Sequence, residues 1–146
     1  MTWLDLPSGT GFGIENLPYG VFDAGDGPRI GVAVGQYVLD VGAVAVHRGH
    51  DLEPLLVAPV LNPLLAAGRP AWQAVRATVT DWLTDPAAEG DVRPHLHRRA
   101  GVTLHLPYDV ADYVDFYASE HHAANVGRIF GRAEPLHPNW RHLPCG

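Results

Sequence analysis

Between residues 28 and 44 the chain reads PRIGVAVGQYVLDVGAV, and Ile30, Val32 and Val34 alternate there with glycine and alanine. After Gly35–Gln36 the alternation resumes at Tyr37 and Leu39, with Val38 on the opposite face. A period of two on both sides of a glycine turn predicts a β-hairpin over 28–44. NLPYGVF (16–22) predicts a partner strand, and the Gly/Asp run Asp23–Gly27 a turn. A small barrel or sheet is the expected product.

The middle of the chain changes period. Asp51 is placed to cap a short helix over Leu52–Val57. Asn62 followed by Pro63 predicts an N-cap and a first-position proline, with Gly68 ending that segment. Pro70 then opens the strongest helical pattern, in which Trp72, Val75, Val79, Trp82 and Leu83 form one apolar stripe. DPAAEGDVR (85–93) reads as a loop. VTLHLP (102–107) predicts a strand with Val102, Leu104 and Leu106 facing inward.

ADYVDFYASEHHAANVGRIF (111–130) predicts a helix from near Phe116 to Arg128. Ala118, His122, Val126 and Ile129 line one face of it, which places His122 on or beside the buried stripe and His121 about 100° away. Asp115 falls at or before the helix start, on the side of His122.

Composition narrows the class. The chain has 146 residues with 47% hydrophobic and 18% charged, enough for one domain with a real core and no more than one compact fold of ordinary size. A net charge of −6, with arginine supplying every cation and lysine absent, leaves no electrostatic footprint for nucleic acid. The single cysteine, Cys145, rules out an internal disulfide and fits a reducing compartment. No apolar run approaches the roughly 18–20 residues of a membrane span, and MTWLDLPSG lacks the parts of a secretory signal. A cytoplasmic protein without a membrane partner is the expectation.

Several motifs lose to plainer readings. The glycines of GTGFGIEN (9–16) lack the sixth-position glycine and the preceding strand of a dinucleotide loop, so a flexible loop is expected. His95 and His97 lie among arginines that repel a divalent cation, which favours a solvated basic loop. His47, His50, His105, His137 and His142 are scattered and read as structural. Neither Ser8 nor Ser119 sits in a nucleophile elbow, although Ser119 and His122 are spaced to meet on a helix. In 111–130 two readings stand side by side. Asp115, His122 and a nearby tyrosine form an acid–base and metal-binding corner, or His122 is a core histidine behind a capping aspartate.

The string D-Y-x-D-F-Y-x-S-x-x-H-A-x-N-V-G at 112–127, with P-N-W-x-H-L-P-x-G at 138–146, resembles the fumarylacetoacetases of the fumarylacetoacetate hydrolase family. ENLPYGVF (15–22), PRIGVA (28–33) and HLP (105–107) extend the likeness from about residue 13 to the end of the sequence. The resemblance implies an α+β chain: an SH3-like β-barrel with packed helices over 1–107, then the start of a β-rich catalytic domain over 108–146. It implies metal-dependent hydrolysis of the C–C bond of fumarylacetoacetate, a small diketo acid, to fumarate and acetoacetate in tyrosine and phenylalanine catabolism. Asp115 would be a ligand of Ca²⁺ or Mg²⁺, His122 the general base and Tyr117 a substrate hydrogen-bonding group. The family's substrate arginine falls on Gly131 here, which leaves Arg132, one residue later, as its replacement. The family's other metal carboxylates, its lysine and the glutamate that orients the histidine come from a larger domain with no counterpart in these residues. The isolated chain is therefore expected to have little or no hydrolase activity, and a homodimer is expected of the full-length protein. The competing expectation is a stand-alone SH3-like binding or dimerisation module without catalysis.

Overall fold

A computed structural model describes residues 2–7 and 9–142. It divides into two compact units, Met1–Asp109 and Val110–Gly146, and each is described by itself. The first is α+β.

Five strands form one antiparallel sheet: β1 (Tyr19–Asp23), β2 (Arg29–Val34), β3 (Tyr37–Asp40), β4 (Leu96–Arg98) and β5 (Thr103–His105). Their order is β4-β3-β2-β1-β5, so the last strand returns to pair with the first. The β2–β3 hairpin has the expected turn, with Gly35 at φ +55°, a conformation that glycine adopts without a Cβ penalty. Its register sets Val32 opposite Leu39 and Val34 opposite Tyr37. Ile30, Val32, Val34 and Leu39 are fully buried on that face, against the helices. Phe22 packs on the opposite face, where a Cβ on Gly31 would stand 2.6 Å from its ring.

The hairpin is shorter than the apolar pattern suggested. Asp40 ends β3 and caps helix α1 (Val41–Arg48), its Oδ1 accepting from Ala43 N at 2.9 Å. Gly49 at φ +59° closes the other end. Val41 and Val44, read as strand residues, are instead the buried face of this helix.

Helix α2 (Glu53–Leu56) is present, but Asp51 does not cap it; His50 Nδ1 accepts from Leu52 N at 3.2 Å. Helix α3 (Asn62–Ala66) likewise starts without its expected cap. The Asn62 amide is spent on the backbone of Asp109, donating to its carbonyl at 3.1 Å and accepting from its N–H at 2.8 Å. Helix α4 (Gly68–Thr84) begins two residues before Pro70. Ala67 alone separates it from α3, and Gly68, its first residue, has φ +78°. Val75, Val79, Trp82 and Leu83 are its buried stripe, while Trp72 is half out of the core and donates its indole N–H to Leu64 O at 2.7 Å.

The expected loop over 85–93 is ordered instead. A 3₁₀ turn (Pro86–Ala88), helix α5 (Glu89–Val92) and a second turn (Arg93–His95) bury Ala88 and Val92 in the core. Asp85 starts the run by accepting from Ala87 N. Strand β5 forms where predicted, yet Leu104 and Leu106 are 74% and 79% exposed. At a sheet edge, alternation decides which side chains share a face but does not cover that face. The glycine-rich start is a series of turns held by Arg76 of α4, whose guanidinium donates to the carbonyls of Ile14, Glu15 and Asn16 at 2.8–3.0 Å.

Candidate active site

The second unit carries the residues singled out in 111–130. Residues 106–119 run without helix or strand, and helix α6 (Glu120–Ile129) follows. The helix begins later than Phe116 because Ser119 caps it, its hydroxyl accepting from His122 N at 3.5 Å. Ser119 thus meets His122 through the backbone, not through the imidazole, and its role here is a cap. Asp115 lies upstream of the helix and caps nothing.

The buried side of α6 is Ala123 and Gly127, with Ala124 and Val126 half-buried beside them. His122, Ala118 and Ile129, expected on the buried stripe, are exposed. The helix approaches the Pro135 backbone so closely that a Cβ on Gly127 would overlap the Pro135 carbonyl oxygen. Bulkier apolar residues are pushed off this face by that contact, and His122 is presented outward. His122 is exposed in this unit and does not belong to its buried side.

Tyr117 and His122 stand ring to ring, edge-on, with centroids 5.4 Å apart and planes at 66°. The Tyr117 carbonyl accepts from the Trp140 indole N–H at 2.6 Å. Arg141 pairs with Glu120 at 3.0 Å, tying the 3₁₀ turn Pro138–Arg141 to the first turn of α6. Trp140 and Arg141 received no role from spacing, though the P-N-W string that contains Trp140 was visible. Asp115 sits with Tyr113: the carboxylate accepts from the Tyr113 hydroxyl and its charge reinforces the effect, so the Tyr113 pKa is pushed up. Arg132 donates its backbone N–H to Gly127 O at 3.0 Å, after Gly131 at φ +68°. Its guanidinium has no hydrogen-bond or ion-pair partner among the described residues. His121 is exposed and makes no contact that assigns it a task. Ser8 and Cys145 lie outside the described residues, as do residues 143–146 of the 138–146 string.

The arrangement can do acid–base chemistry. It brings together an exposed imidazole at the start of a helix and a phenol against its ring; Asp115 stands with Tyr113 instead, and no contact joins Asp115 or Arg132 to the pair among the described residues. Among the described residues no three His, Cys, Asp or Glu side chains converge to hold a metal ion.

A family profile described as fumarylacetoacetase N-terminal matches residues 15–107. The chain belongs to that family. Relatives named fumarylacetoacetase extend the likeness over nearly all of the sequence. The chain is similar to one from Caenorhabditis elegans, 39% identical over 157 residues that cover 99% of this chain and 38% of the relative. One from Arabidopsis thaliana is 38% identical, covering 98% and 37%. One from Homo sapiens is 37% identical, covering 100% and 38%. The fumarylacetoacetase-like chain described here therefore spans a little over a third of the length of the curated relatives it matches.

No described helix is long and apolar enough to cross a membrane.

Proposed function

We propose that this chain supplies the N-terminal module and the beginning of the catalytic domain of a fumarylacetoacetase. Such an enzyme hydrolyses the C–C bond of fumarylacetoacetate to fumarate and acetoacetate. The observation that carries the reading is the Tyr117–His122 ring pair held outward at the start of α6, within a chain similar along its length to proteins of that name. In this reading His122 is the general base. It takes a proton from water as the water oxygen attacks a ketone carbon, and the adjacent C–C bond breaks to release acetoacetate as its enolate, which then takes up a proton. Tyr117 hydrogen-bonds the substrate, and Arg132 meets a substrate carboxylate. General-base assistance of this kind is worth about 10²–10⁴ in rate.

Asp115 is the proposed protein ligand for Ca²⁺ or Mg²⁺, which as a hard Lewis acid would polarise the diketone oxygens. One carboxylate falls short of the roughly six to eight oxygens Ca²⁺ takes. The described residues do not by themselves fit the metal, and the proton chemistry above belongs to the side chains alone. The first unit is proposed as an SH3-like barrel. The strand order β4-β3-β2-β1-β5 and the 3₁₀ turn Arg99–Gly101 between the two edge strands support it. Residues 108–146 are proposed as the opening of the catalytic domain, and the whole polypeptide as a cytoplasmic homodimer.

The test is a chimera in which this chain replaces the corresponding first part of the Caenorhabditis elegans relative. Loss of diketone absorbance is followed with Ca²⁺ or Mg²⁺ present. The chimera is expected to turn over and the 146-residue chain alone is not. His122→Ala is expected to lower kcat by about 10²-fold or more. A folded chimera indifferent to His122→Ala would sink the assignment. The second reading, a non-catalytic binding or dimerisation module, is favoured by the self-contained core of Met1–Asp109. Sedimentation of that unit as a dimer, together with an inactive chimera, would select it.

A further inference from the structure

The sheet face turned away from the helices holds a cavity of about 740 Å³, wholly within the first unit and remote in sequence from 111–130. Small residues open it. Gly20 of β1 stands opposite Gly31 of β2, and Ala33 follows two residues later on the same face. The Phe22 and Val38 side chains close over Gly31, whereas a Cβ on Gly20 would meet nothing within 4 Å. The hollow therefore lies over Gly20, with Ala33, Val102 and Leu104 as accessible apolar walls. A concave, mainly apolar cavity of this size with a few polar groups is the general form of a small-molecule site.

Its charged groups gather at one end. Arg98 and Arg99 are exposed, and both are held at the Gly35–Gln36 turn. Arg98 Nη1 donates to Gln36 Oε1 at 2.9 Å, and Arg99 Nη1 donates to Gly35 O at 3.0 Å. The Arg98 guanidinium lies over the Tyr37 ring and that of Arg99 over the Phe12 ring, 4.6 and 3.8 Å from the centroids. With a face against an aromatic ring and one terminal nitrogen engaged, each guanidinium has its remaining N–H edge to offer. Neither forms an ion pair among the described residues.

At the other end charge is already matched. Leu104 pairs with Phe22, and Phe22 with Arg29, at the end of β2 away from the turn. Arg29 is held there by Asp26 and Asp40, and Asp23 is spent on the backbone N–H groups of residues 25–27. Between Ala33 and Arg29 the strand advances about 14 Å, at about 3.4 Å per residue. The lining carries Arg98 and Arg99 and no acidic residue among those described. The cavity is thus cationic at the turn and apolar toward Leu104.

We propose that this cavity binds a medium-chain carboxylate, its acyl chain over Gly20 toward Leu104 and its carboxylate at Arg98 and Arg99. The free edges of the two guanidiniums supply charge-assisted donors in the geometry a carboxylate accepts. A cationic head is repelled at the turn, and a neutral head leaves both arginines without a counter-charge. A short acid leaves the hollow over Gly20 empty and forgoes the burial of its chain.

The experiment titrates the chain near neutral pH with octanoate, octanamide, octylamine and butanoate, following backbone and arginine side-chain NMR shifts. Octanoate is expected to move the amides of Gly20, Ala33 and Leu104 and the side-chain N–H signals of Arg98 and Arg99. It should bind about fivefold or more tightly than octanamide and about tenfold or more tightly than butanoate, and octylamine should not bind. Gly20→Val sends a side chain into open space, so it should keep the native near-UV circular dichroism and weaken octanoate by about tenfold or more. Arg98→Gln, at an exposed strand end, should lower the preference for octanoate over octanamide and leave the affinity for octanamide unchanged. Either variant decides the matter if the other fails to fold. Equal binding of octanamide, preferential binding of octylamine, octanoate affinity indifferent to the folded variants, or shifts confined to other residues would each overturn the proposal.

Discussion

Asp40 does two jobs with one carboxylate. It stops the hairpin by capping α1 through Ala43 N, and it faces the Arg29 guanidinium from a buried position. Asp40→Asn keeps an acceptor for the cap and removes the charge, whereas Asp40→Ala removes both. Losing the cap costs about 1 kcal/mol, and breaking a buried pair from one side about 3–5 kcal/mol. Because Arg29 is part-exposed and keeps Asp26 as a partner, no buried charge is left uncompensated and the loss falls below that range. Urea unfolding should place Asp40→Ala roughly 2–3 kcal/mol below the native chain, with Asp40→Asn between them. Asp23 gives a pH-dependent counterpart at the surface. Its Oδ1 accepts from the N–H groups of Gly25, Asp26 and Gly27, and the bonds to Gly25 and Gly27 most of all hold its pKa below the ordinary value. The folded pKa is the lower one, so its contribution is complete above the unfolded value of about 3.9. It is lost as pH falls from there through the folded value. Asp23→Asn should flatten the acid limb of the stability profile below about pH 4 and leave the profile near neutrality parallel to the native one.

At the scale of elements, α6 and α4 show how contacts reverse propensity. Glycine inside a helix ordinarily costs about 1 kcal/mol relative to alanine. At Gly127 that order inverts, because an alanine Cβ would overlap the Pro135 carbonyl. Gly127→Ala should destabilise α6 by roughly 1–3 kcal/mol through overpacking, read as faster hydrogen exchange of its amides and loss of cross-peaks between Tyr117 and His122. Stabilisation instead would show that the close approach does not exist. Arg76 is the analogous device on α4: its planar fork gathers carbonyls of the turn at 14–16. Arg76→Lys cannot reproduce the fork, so it should recover little of the loss in Arg76→Ala, about 2 kcal/mol by urea unfolding. These contacts also explain what was legible beforehand. The β2–β3 alternation and the α4 stripe were visible because large apolar residues recur there at one period. The buried face of α6 was not, since Ala123 and Gly127 are small and their value lies in how near the backbone can come. Helix α1 was hidden for another reason: Val41 and Val44 suit a strand and a helix equally, and only Asp40 and Gly49 mark its ends. Of the candidate site, the Tyr117–His122 pair was within reach of spacing and resemblance. The Trp140 and Arg141 contacts were not, because they join the ends of the unit across about twenty residues of sequence.

At the scale of the molecule, nearly every buried apolar side chain among the described residues belongs to Met1–Asp109, with Ala123 the exception. Hydrophobic burial scales with apolar area removed from water, so that unit carries the driving force for a cooperative transition of its own. Its boundary is not arbitrary within the chain. The segment after β5 still contributes, with Leu61 N donating to Pro107 O at 2.7 Å and Asn62 clasping the Asp109 backbone from both sides. A fragment of residues 1–109 should therefore unfold as a single cooperative step in urea with native-like near-UV circular dichroism. A fragment of residues 1–102 lacks β5, Pro107 and Asp109 together, and it leaves β1 as a bare edge beside the buried Phe22. At about 1 kcal/mol for each lost hydrogen bond, the bonds to Pro107 and Asp109 alone amount to roughly 3 kcal/mol. The shorter fragment should unfold at markedly lower urea and aggregate through the freed edge. Equal stability of the two fragments would mean that β5 and the residues after it are not part of this fold, and the closing of the sheet on β1 would have to be abandoned.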